Sequence, residues 1–403
     1  SLAPSSDPTY LSTPTSVDET QNSKNKKVEY DIPKLKLRAE KGDPAAQYEL
    51  AKSYLQENPK KQDIDVALNL YMKAAQQGHI QAQYEIGWLY FDDKYQLKKY
   101  GEAIKWWKKA SDLGDSKSQF ILALAYFDGR GVKKDHAQAA KFYRLAADNG
   151  SLKALNNLAL MYSSGDGVPK DKNEAAKLFL LAANHGLRES QWAVGQTILN
   201  GNIFKKNYSE AAAWFGKAAA QNLMQAQYSL AVMHHFGHGV KEDHVEERKL
   251  CEKAARQGYV KAQHSLGRIY FTGDGIERDY REAIKWYRLA AEQGYIQSQL
   301  DLGYIFDSGD GVGQDEKEAV KWFTRAAQQG NADAQYNLGV SYSRGEGVIR
   351  DYHVAYIWLA IAAAQSERRA RYILDSIEKR MSPEQISAAQ KAALNWKPKF
   401  END

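Results

Sequence analysis

The 403-residue sequence contains one cysteine, Cys251, and no apolar run approaches the ~20 residues that a membrane-spanning helix needs. A single cysteine excludes an intramolecular disulfide. The net charge is only +5, so the chain also lacks the dense basic face typical of nucleic-acid binding. We therefore expect no transmembrane segment and no nucleic-acid partner. The apolar content, 43%, is ample for a continuous core.

Glycine, by contrast, recurs every 36 residues along almost the whole chain, at Gly42, Gly78, Gly114, Gly150, Gly186, Gly258, Gly294 and Gly330. The one gap holds Asn222, the next most tolerant residue where the backbone needs positive φ. A second ladder of the same period runs out of phase, at Gly129, Gly165, Gly201, Gly237, Gly273, Gly309 and Gly345. Two loop markers per period leave two helical segments of about 13 residues each, which predicts a stacked array of helical hairpins.

Each predicted hairpin repeats the same side-chain pattern. The first helix carries a small residue, Leu and Tyr at helical spacing, as in Ala334, Leu338 and Tyr342, and this stripe is the predicted core face. The residue after the Leu position is small in all nine units, which lets neighbouring helices approach closely. The second helix often opens with Asp and has Glu three residues later, which predicts a reciprocal capping box, at Asp171/Glu174, Asp243/Glu246, Asp279/Glu282 and Asp315/Glu318.

The stretch 332–363 reads A-x-A-x-x-x-L-G-x-x-Y-x-x-G-x-G-V-x-x-D-x-x-x-A-x-x-W-x-x-x-A-A. This closely resembles the Sel-1-like repeat, a 36-residue relative of the tetratricopeptide repeat. The resemblance implies an all-α, right-handed α-solenoid of nine hairpin repeats with capping helices at both ends. It also implies an adaptor rather than an enzyme.

Four segments are predicted along the chain. Residues 1–30 are polar and predict a disordered leader or linker, and residues 31–42 an N-terminal capping helix. The nine repeats occupy 43–366, where Ser366 stands in place of the last closing Gly. Residues 367–403 are predicted to form C-terminal capping helices and a tail. Because the chain starts at Ser1 without Met, we expect that a signal segment or a tag has been removed.

No catalytic constellation stands out from the repeat pattern, so we expect no enzyme, no catalytic residue and no cofactor. The Gly-x-Gly loops follow helices rather than strands, which indicates turns rather than phosphate binding. Histidines cluster near the sixth repeat, at His234, His235, His238, His244 and His264. Three convergent ligands are not assured, so no metal site is expected, although a metal-dependent activity at His235, His238 and His264 stays an alternative. Cys251 is expected to be a small buried hydrophobe.

If the hairpins stack as in tetratricopeptide arrays, the first helices line the concave side. The predicted partner-binding residues there are Tyr84, Trp88, Phe91, Phe120, Phe127, Trp192, Tyr228, His264, Arg268, Tyr304, Tyr336 and Arg344. Aromatic residues and Arg are typical of interface hot spots. The alternative is that the aromatic stripe packs between repeats. Trp88 is the sharpest candidate, because Lys52, Gln196 and Arg268 occupy equivalent positions and packing there does not demand a large ring.

The expected function is a monomeric adaptor that binds a protein or peptide, in a periplasmic or secreted bacterial protein that is exported or contacts a host. An envelope factor that binds glycan or peptidoglycan is the alternative, since Trp88 and Trp192 could stack on sugar rings. The fifth and sixth repeats depart most from the pattern, with Asn222 in the glycine ladder and Glu247 at a position held by Ala elsewhere. Either the array is irregular there or a partner docks there.

Overall fold

The computed structural model describes residues 31–56, 59–95, 97–365 and 367–399. The predicted leader, 1–30, and Ser366 lie outside these ranges. The described residues form 21 α-helices and no strand, with one turn of 3₁₀ helix at Asp93–Tyr95. This confirms the all-α hairpin array predicted from the period.

The chain divides into two compact units at residues 206 and 207. The helices of the N-terminal unit are α1 (Ile32–Glu40), α2 (Pro44–Tyr54), α3 (Lys61–Gln76), α4 (Ile80–Phe91), α5 (Tyr100–Asp112), α6 (Ser116–Asp128), α7 (His136–Asp148), α8 (Leu152–Ser164), α9 (Lys172–Asn184) and α10 (Arg188–Asn200). Those of the C-terminal unit are α11 (Tyr208–Ala220), α12 (Met224–Phe236), α13 (His244–Arg256), α14 (Val260–Thr272), α15 (Tyr280–Glu292), α16 (Ile296–Ser308), α17 (Glu316–Gln328), α18 (Ala332–Arg344), α19 (Tyr352–Ala364), α20 (Arg368–Glu378) and α21 (Pro383–Asn395).

Even-numbered helices from α2 to α18 are the first helices of the hairpins, and odd-numbered helices from α3 to α19 are the second helices. Within each unit, a first helix packs against the second helix of its own hairpin, and that second helix packs against the next first helix. At the C-terminal end, α20 and α21 both pack on α19. Within each unit, successive helices therefore bury their apolar stripes against their neighbours in the chain, as in a solenoid.

Left-handed backbone at the loop positions explains why glycine recurs every 36 residues in two separate series. Gly258, which closes the sixth hairpin, has φ +90°, and Gly237 ends α12 as a left-handed C-cap with φ +64°. Asn222 fills the gap in the first ladder with φ +62°, which confirms the reason for its presence. These positions reverse the chain at fixed intervals.

The aspartates predicted to cap the second helices do so. Asp243, for example, accepts a hydrogen bond from the backbone N–H of Glu246 over 2.9 Å. The reciprocal half of the predicted capping box is wrong, because the Glu side chains pair with Lys residues three positions later, in Glu174–Lys177, Glu246–Lys249, Glu282–Lys285 and Glu318–Lys321. These surface ion pairs contribute little to stability.

Buried amides connect successive helices, a feature that the sequence reasoning missed. We call this set the amide ladder: a buried Gln on a first helix donates to a backbone carbonyl eight residues earlier, on the preceding helix, as Gln263 does to Ala255. Gln227 is the exception, since it donates to the side-chain oxygen of Asn222. The side-chain oxygen of the buried Gln accepts from a Gln or Asn 30 residues later, in Gln77–Gln47, Asn149–Gln119, Gln257–Gln227, Gln293–Gln263, Gln329–Gln299 and Gln365–Gln335. Each complete rung satisfies a buried polar group and joins three helices.

Candidate partner-binding surface

Two rows of side chains define the surface of the first helices. The first row is Tyr48, Tyr84, Phe120, Asn156, Trp192, Tyr228, His264, Leu300 and Tyr336. The second row, one helical turn later, is Lys52, Trp88, Leu124, Leu160, Gln196, Val232, Arg268, Tyr304 and Val340. We call the surface that they form within each unit the first-helix surface.

Rings of the first row pack partly between helices. The Tyr48 ring lies 5.6 Å from that of Tyr71 on α3, and Phe120 lies 5.7 Å from Tyr143 on α7. The Tyr228 ring lies 5.4 Å from Tyr259, the residue that precedes α14. Asn156 and Leu300 are buried, while the remaining members are half-buried. A large part of each first-row ring therefore stabilises the array, and only its remaining edge faces solvent.

Trp88 lies at the margin of its hairpin core. Its ring meets that of Trp107 on α5 edge-on at 5.5 Å and that of Phe91 at 5.9 Å. Trp107 is fully buried, and its indole N–H donates to the Tyr84 carbonyl over 3.1 Å. Trp88 itself is half-buried, so part of its ring remains exposed.

Tyr304 is the most open aromatic ring of the predicted set, with 39% of its surface exposed. Its ring packs edge-on against Phe323 at 5.6 Å, and its hydroxyl accepts a hydrogen bond from the Asn337 amide over 3.1 Å. Burial of the hydroxyl raises the Tyr304 pKa. The ring is therefore held in place on α16 while one side remains available.

The prediction of an open surface at Phe91 is wrong. Phe91 is only 4% exposed, because its ring lies against Tyr100 and Trp107 and is covered by the Arg130 guanidinium at 4.3 Å. Leu124 in the second row is also buried.

Three further predicted residues are placed by local contacts. Phe127 is half-buried and stacks on His136 with ring centroids 4.4 Å apart. Tyr336 lies under the Arg369 guanidinium at 4.5 Å. Arg344 is exposed and lies 3.6 Å from Glu346, so its guanidinium can reach another carboxylate.

His264 lies in a pocket of its own on α14. Its Nδ1 is 3.0 Å from the Ser298 hydroxyl and 3.6 Å from Asp301, and its ring contacts Tyr287 and Tyr295. Burial lowers the pKa of His264 to about 4 and raises that of Asp301 to about 6. The alternative metal set of His235, His238 and His264 is therefore wrong, because His264 is engaged elsewhere and His235 lies with a different pair, His244 and Glu247.

An exposed ring cluster beside the sixth hairpin was not anticipated. His238 lies 4.7 Å from the ring of Tyr208 and 5.4 Å from that of Phe236, and Phe236 is 57% exposed. We call Tyr208, Phe236 and His238 the loop patch. The repeat pattern could have identified Phe236 as unusual. The residues at the equivalent position of other hairpins are polar, namely Asp92, Asp128, Ser164, Asn200, Thr272, Ser308 and Arg344.

Cys251 is buried, as predicted, with 1% of its surface exposed. Burial raises the pKa of its thiol to about 12, which leaves almost no nucleophilic thiolate near neutral pH. In the part of the chain that the structure describes, no helix is both long and apolar enough to cross a bilayer.

The family model of the Sel1 repeat matches nine consecutive segments of the chain, at 44–79, 80–115, 116–151, 152–187, 188–223, 225–259, 260–295, 296–331 and 332–367. Among solved structures, c5321, a protective antigen of uropathogenic Escherichia coli strains with an SLR fold, is 28% identical, with a TM-score of 0.64 over 91% of this chain and 94% of that chain. A Sel1 repeat protein from Oxalobacter formigenes is 29% identical, with a TM-score of 0.55 over 87% and 90%. No curated protein matches the chain.

Proposed function

The chain belongs to the Sel1 repeat family, and we propose that it is a non-enzymatic adaptor that binds a protein or peptide along the first-helix surface. Sel1 repeat proteins generally mediate protein–protein interactions, and their scaffolds are typically non-enzymatic.

Variation in the second row is the observation that carries this proposal. The residue just before each second-row position is Ala or Gly in all nine hairpins, as packing requires. The second row itself holds Lys, Trp, Leu, Gln, Val, Arg and Tyr. Since the array tolerates any of these, an exposed Tyr304 and a half-exposed Trp88 are not explained by packing alone. Such residues are typical of interface hot spots.

The proposed contact residues are the predicted ones that keep some exposure. They are Tyr84, Trp88, Phe120, Phe127 and Trp192 in the N-terminal unit, and Tyr228, His264, Arg268, Tyr304, Tyr336 and Arg344 in the C-terminal unit. Trp88, Arg268 and Tyr304 belong to the second row, whereas Phe127 and Arg344 lie further along their first helices. Buried Phe91 is left out.

A binding selection tests the surface. A displayed library of random peptides is selected on the full chain, and the enriched peptides are titrated against Tyr304→Ser and Leu289→Ser. Leu289 is a matched control, because it is also 39% exposed but lies on the second helix α15. We expect at least a tenfold loss of affinity for Tyr304→Ser and less than a twofold loss for Leu289→Ser. Equal affinities for the two variants would contradict partner binding on the first-helix surface.

We also propose that the protein is a monomer and is a bacterial exported or host-interaction factor, periplasmic or secreted. Its likeness to a protective antigen of uropathogenic strains over nearly the whole length supports the exported location. Fractionation of the native cells, followed by detection with an antibody to the chain, tests that location. Signal in the periplasm or medium is expected, and signal confined to the cytoplasm contradicts export.

Binding of envelope glycan is a second candidate, favoured by the half-exposed indoles of Trp88 and Trp192. Co-sedimentation of the purified chain with isolated peptidoglycan separates the two functions. Under the adaptor proposal, the chain stays in the supernatant.

A further inference from the structure

Three potential metal ligands converge in the sixth hairpin. His235 lies at the end of α12, and His244 and Glu247 lie in the first turn of α13. Nδ1 of His235 and Nδ1 of His244 are each 2.9 Å from the same carboxylate oxygen, Oε2 of Glu247. One ligand atom from each of the three residues falls within 4.8 Å of the others.

Comparison among hairpins shows that Glu247 is not needed for packing. The other eight hairpins hold a buried Ala at this position, namely Ala67, Ala103, Ala139, Ala175, Ala211, Ala283, Ala319 and Ala355. Glu247 is just as buried, with 2% exposed. A buried carboxylate is costly unless cations or donors compensate it, so its presence in this one hairpin calls for a specific partner.

The two imidazoles also replace a packing pair. At the positions of His235 and His244, three other hairpins hold ring pairs in contact, Phe91–Tyr100, Phe127–His136 and Phe271–Tyr280. His235 and His244 keep this ring contact, with centroids 5.5 Å apart. The fold thus places a nitrogen-bearing ring on each side of the carboxylate, where other hairpins have rings and an Ala methyl.

Neighbouring charges orient the three groups for coordination. Arg268 on α14 donates to the other carboxylate oxygen, Oε1 of Glu247, over 3.1 Å, which leaves Oε2 facing the imidazoles. Nε2 of His244 lies 3.2 Å from a Glu242 carboxylate oxygen. The Glu242 carboxylate favours a proton on Nε2, and a proton there leaves Nδ1 as a free ligand. A carboxylate behind a ligating His is a recurrent arrangement at zinc sites.

We propose that His235, His244 and Glu247 form a three-ligand site for a late first-row divalent cation of the zinc class. Tetrahedral coordination at bond lengths of about 2.0–2.1 Å places ligand atoms about 3.3 Å apart, so the two 2.9 Å contacts need to open by only a few tenths of an ångström. The ligands are Nδ1 of both imidazoles and Oε2 of the carboxylate. A proton carried on Nδ1 of either imidazole is released when the cation binds. His235 and His244 have 23% and 34% of their side chains exposed, so solvent reaches both imidazoles.

Calorimetric titration of the tag-free full chain with ZnCl₂ tests the site. We expect one Zn²⁺ per chain at micromolar or tighter affinity, and an upward shift of the melting temperature that grows with Zn²⁺ concentration. Glu247→Ala restores the residue of the other eight hairpins, and His244→Tyr restores that of the neighbouring hairpins, so both should fold. Each should lose at least a hundredfold in affinity.

His238→Ala is the matched control, since His238 lies beside the site in the loop patch but outside the ligand set. It should bind Zn²⁺ within threefold of the original chain. Absence of Zn²⁺ binding by the original chain would overturn the proposal. So would unchanged affinity in Glu247→Ala or His244→Tyr, or an equal loss in His238→Ala.

Discussion

The side-chain amide of Gln329 donates a hydrogen bond to the side-chain oxygen of Gln299, 30 residues earlier, over 2.8 Å. Gln299 in turn donates to the Ala291 carbonyl over 3.0 Å, and both Gln residues are buried. One amide thus holds α15, α16 and α17 in register. The rungs of the amide ladder repeat this arrangement, so a missing donor leaves an acceptor without a partner.

Such a gap occurs at Gln83, whose side-chain oxygen is buried without a hydrogen-bond partner. The donor position 30 residues later holds Leu113, which is 52% exposed. We expect Leu113→Gln to complete the rung and to raise the free energy of unfolding by about 0.5–1.5 kcal/mol. Urea unfolding followed by circular dichroism measures it. Leu145→Gln, at another exposed Leu, is the control, and an equal gain there would contradict the explanation.

Close helix approach at Gly303 predicts opposite effects for two alanine substitutions. A Cβ at Gly303 would lie 2.4 Å from the Phe323 ring, whereas a Cβ at Gly216 in α11 meets nothing within 4 Å. We expect Gly303→Ala to lower the free energy of unfolding by about 1–3 kcal/mol and Gly216→Ala to raise it by about 0.5–1 kcal/mol. Thermal melts compare the two variants. The same sign for both would mean that the small residue does not set the helix spacing.

Asp301 predicts a stability that falls as pH rises. Burial raises its pKa from 3.8 to about 6 in the folded chain, so the folded state resists ionisation. The resulting cost is absent below pH 3.8, grows between pH 3.8 and 6, and is complete above about pH 6. Asp301→Asn should therefore stabilise the chain by about 2–3 kcal/mol at pH 8, and by much less at pH 4.5.

Urea unfolding of both chains at the two pH values checks this. His264 also titrates differently in the two states, since burial lowers its pKa to about 4. The effect of His264 lowers the free energy of unfolding as pH falls from 6.5 towards 4. Because His264 is present in both chains, this effect cancels to first order when Asp301→Asn is compared with the original chain. A gain from Asp301→Asn that is independent of pH would contradict the assignment. Asp375→Asn, at an exposed carboxylate, should have no effect at either pH.

The thiol of Cys251 should be nearly inert in the folded chain. Its pKa of about 12, against the ordinary 9.0, reduces the thiolate fraction at neutral pH about a thousandfold, and burial adds a steric barrier. We expect labelling by a maleimide at pH 7 to be at least a thousandfold slower than in guanidinium chloride. Comparable rates in the two conditions would show that α13 opens readily.

Periodicity made the fold predictable. A 36-residue spacing of glycines fixes where the chain reverses, and Asn222 fits because its side chain tolerates positive φ. The capping Asp residues were predictable for the same local reason. The amide ladder was missed, because a rung joins residues 30 positions apart and its Gln residues look polar and solvent-facing in the sequence.

Site residues were harder to predict, because exposure depends on the neighbouring helix. Phe91 and Phe127 hold equivalent positions, but Arg130 and Trp107 cover the first ring, while the second stays half-open. The metal-ligand set also depends on folding, since Glu247 meets His235 only when α13 returns along α12. The sequence marked Glu247 as a departure from Ala but did not show what it faces.

Hydrogen–deuterium exchange of the full chain, with and without a saturating peptide from the selection, tests partner binding on the first-helix surface most directly. We expect slower exchange on binding in first helices that carry exposed second-row residues, such as Tyr304 on α16, and little change in α15 around Leu289. Protection confined to the second helices, with the first helices unchanged, would contradict partner binding on the first-helix surface.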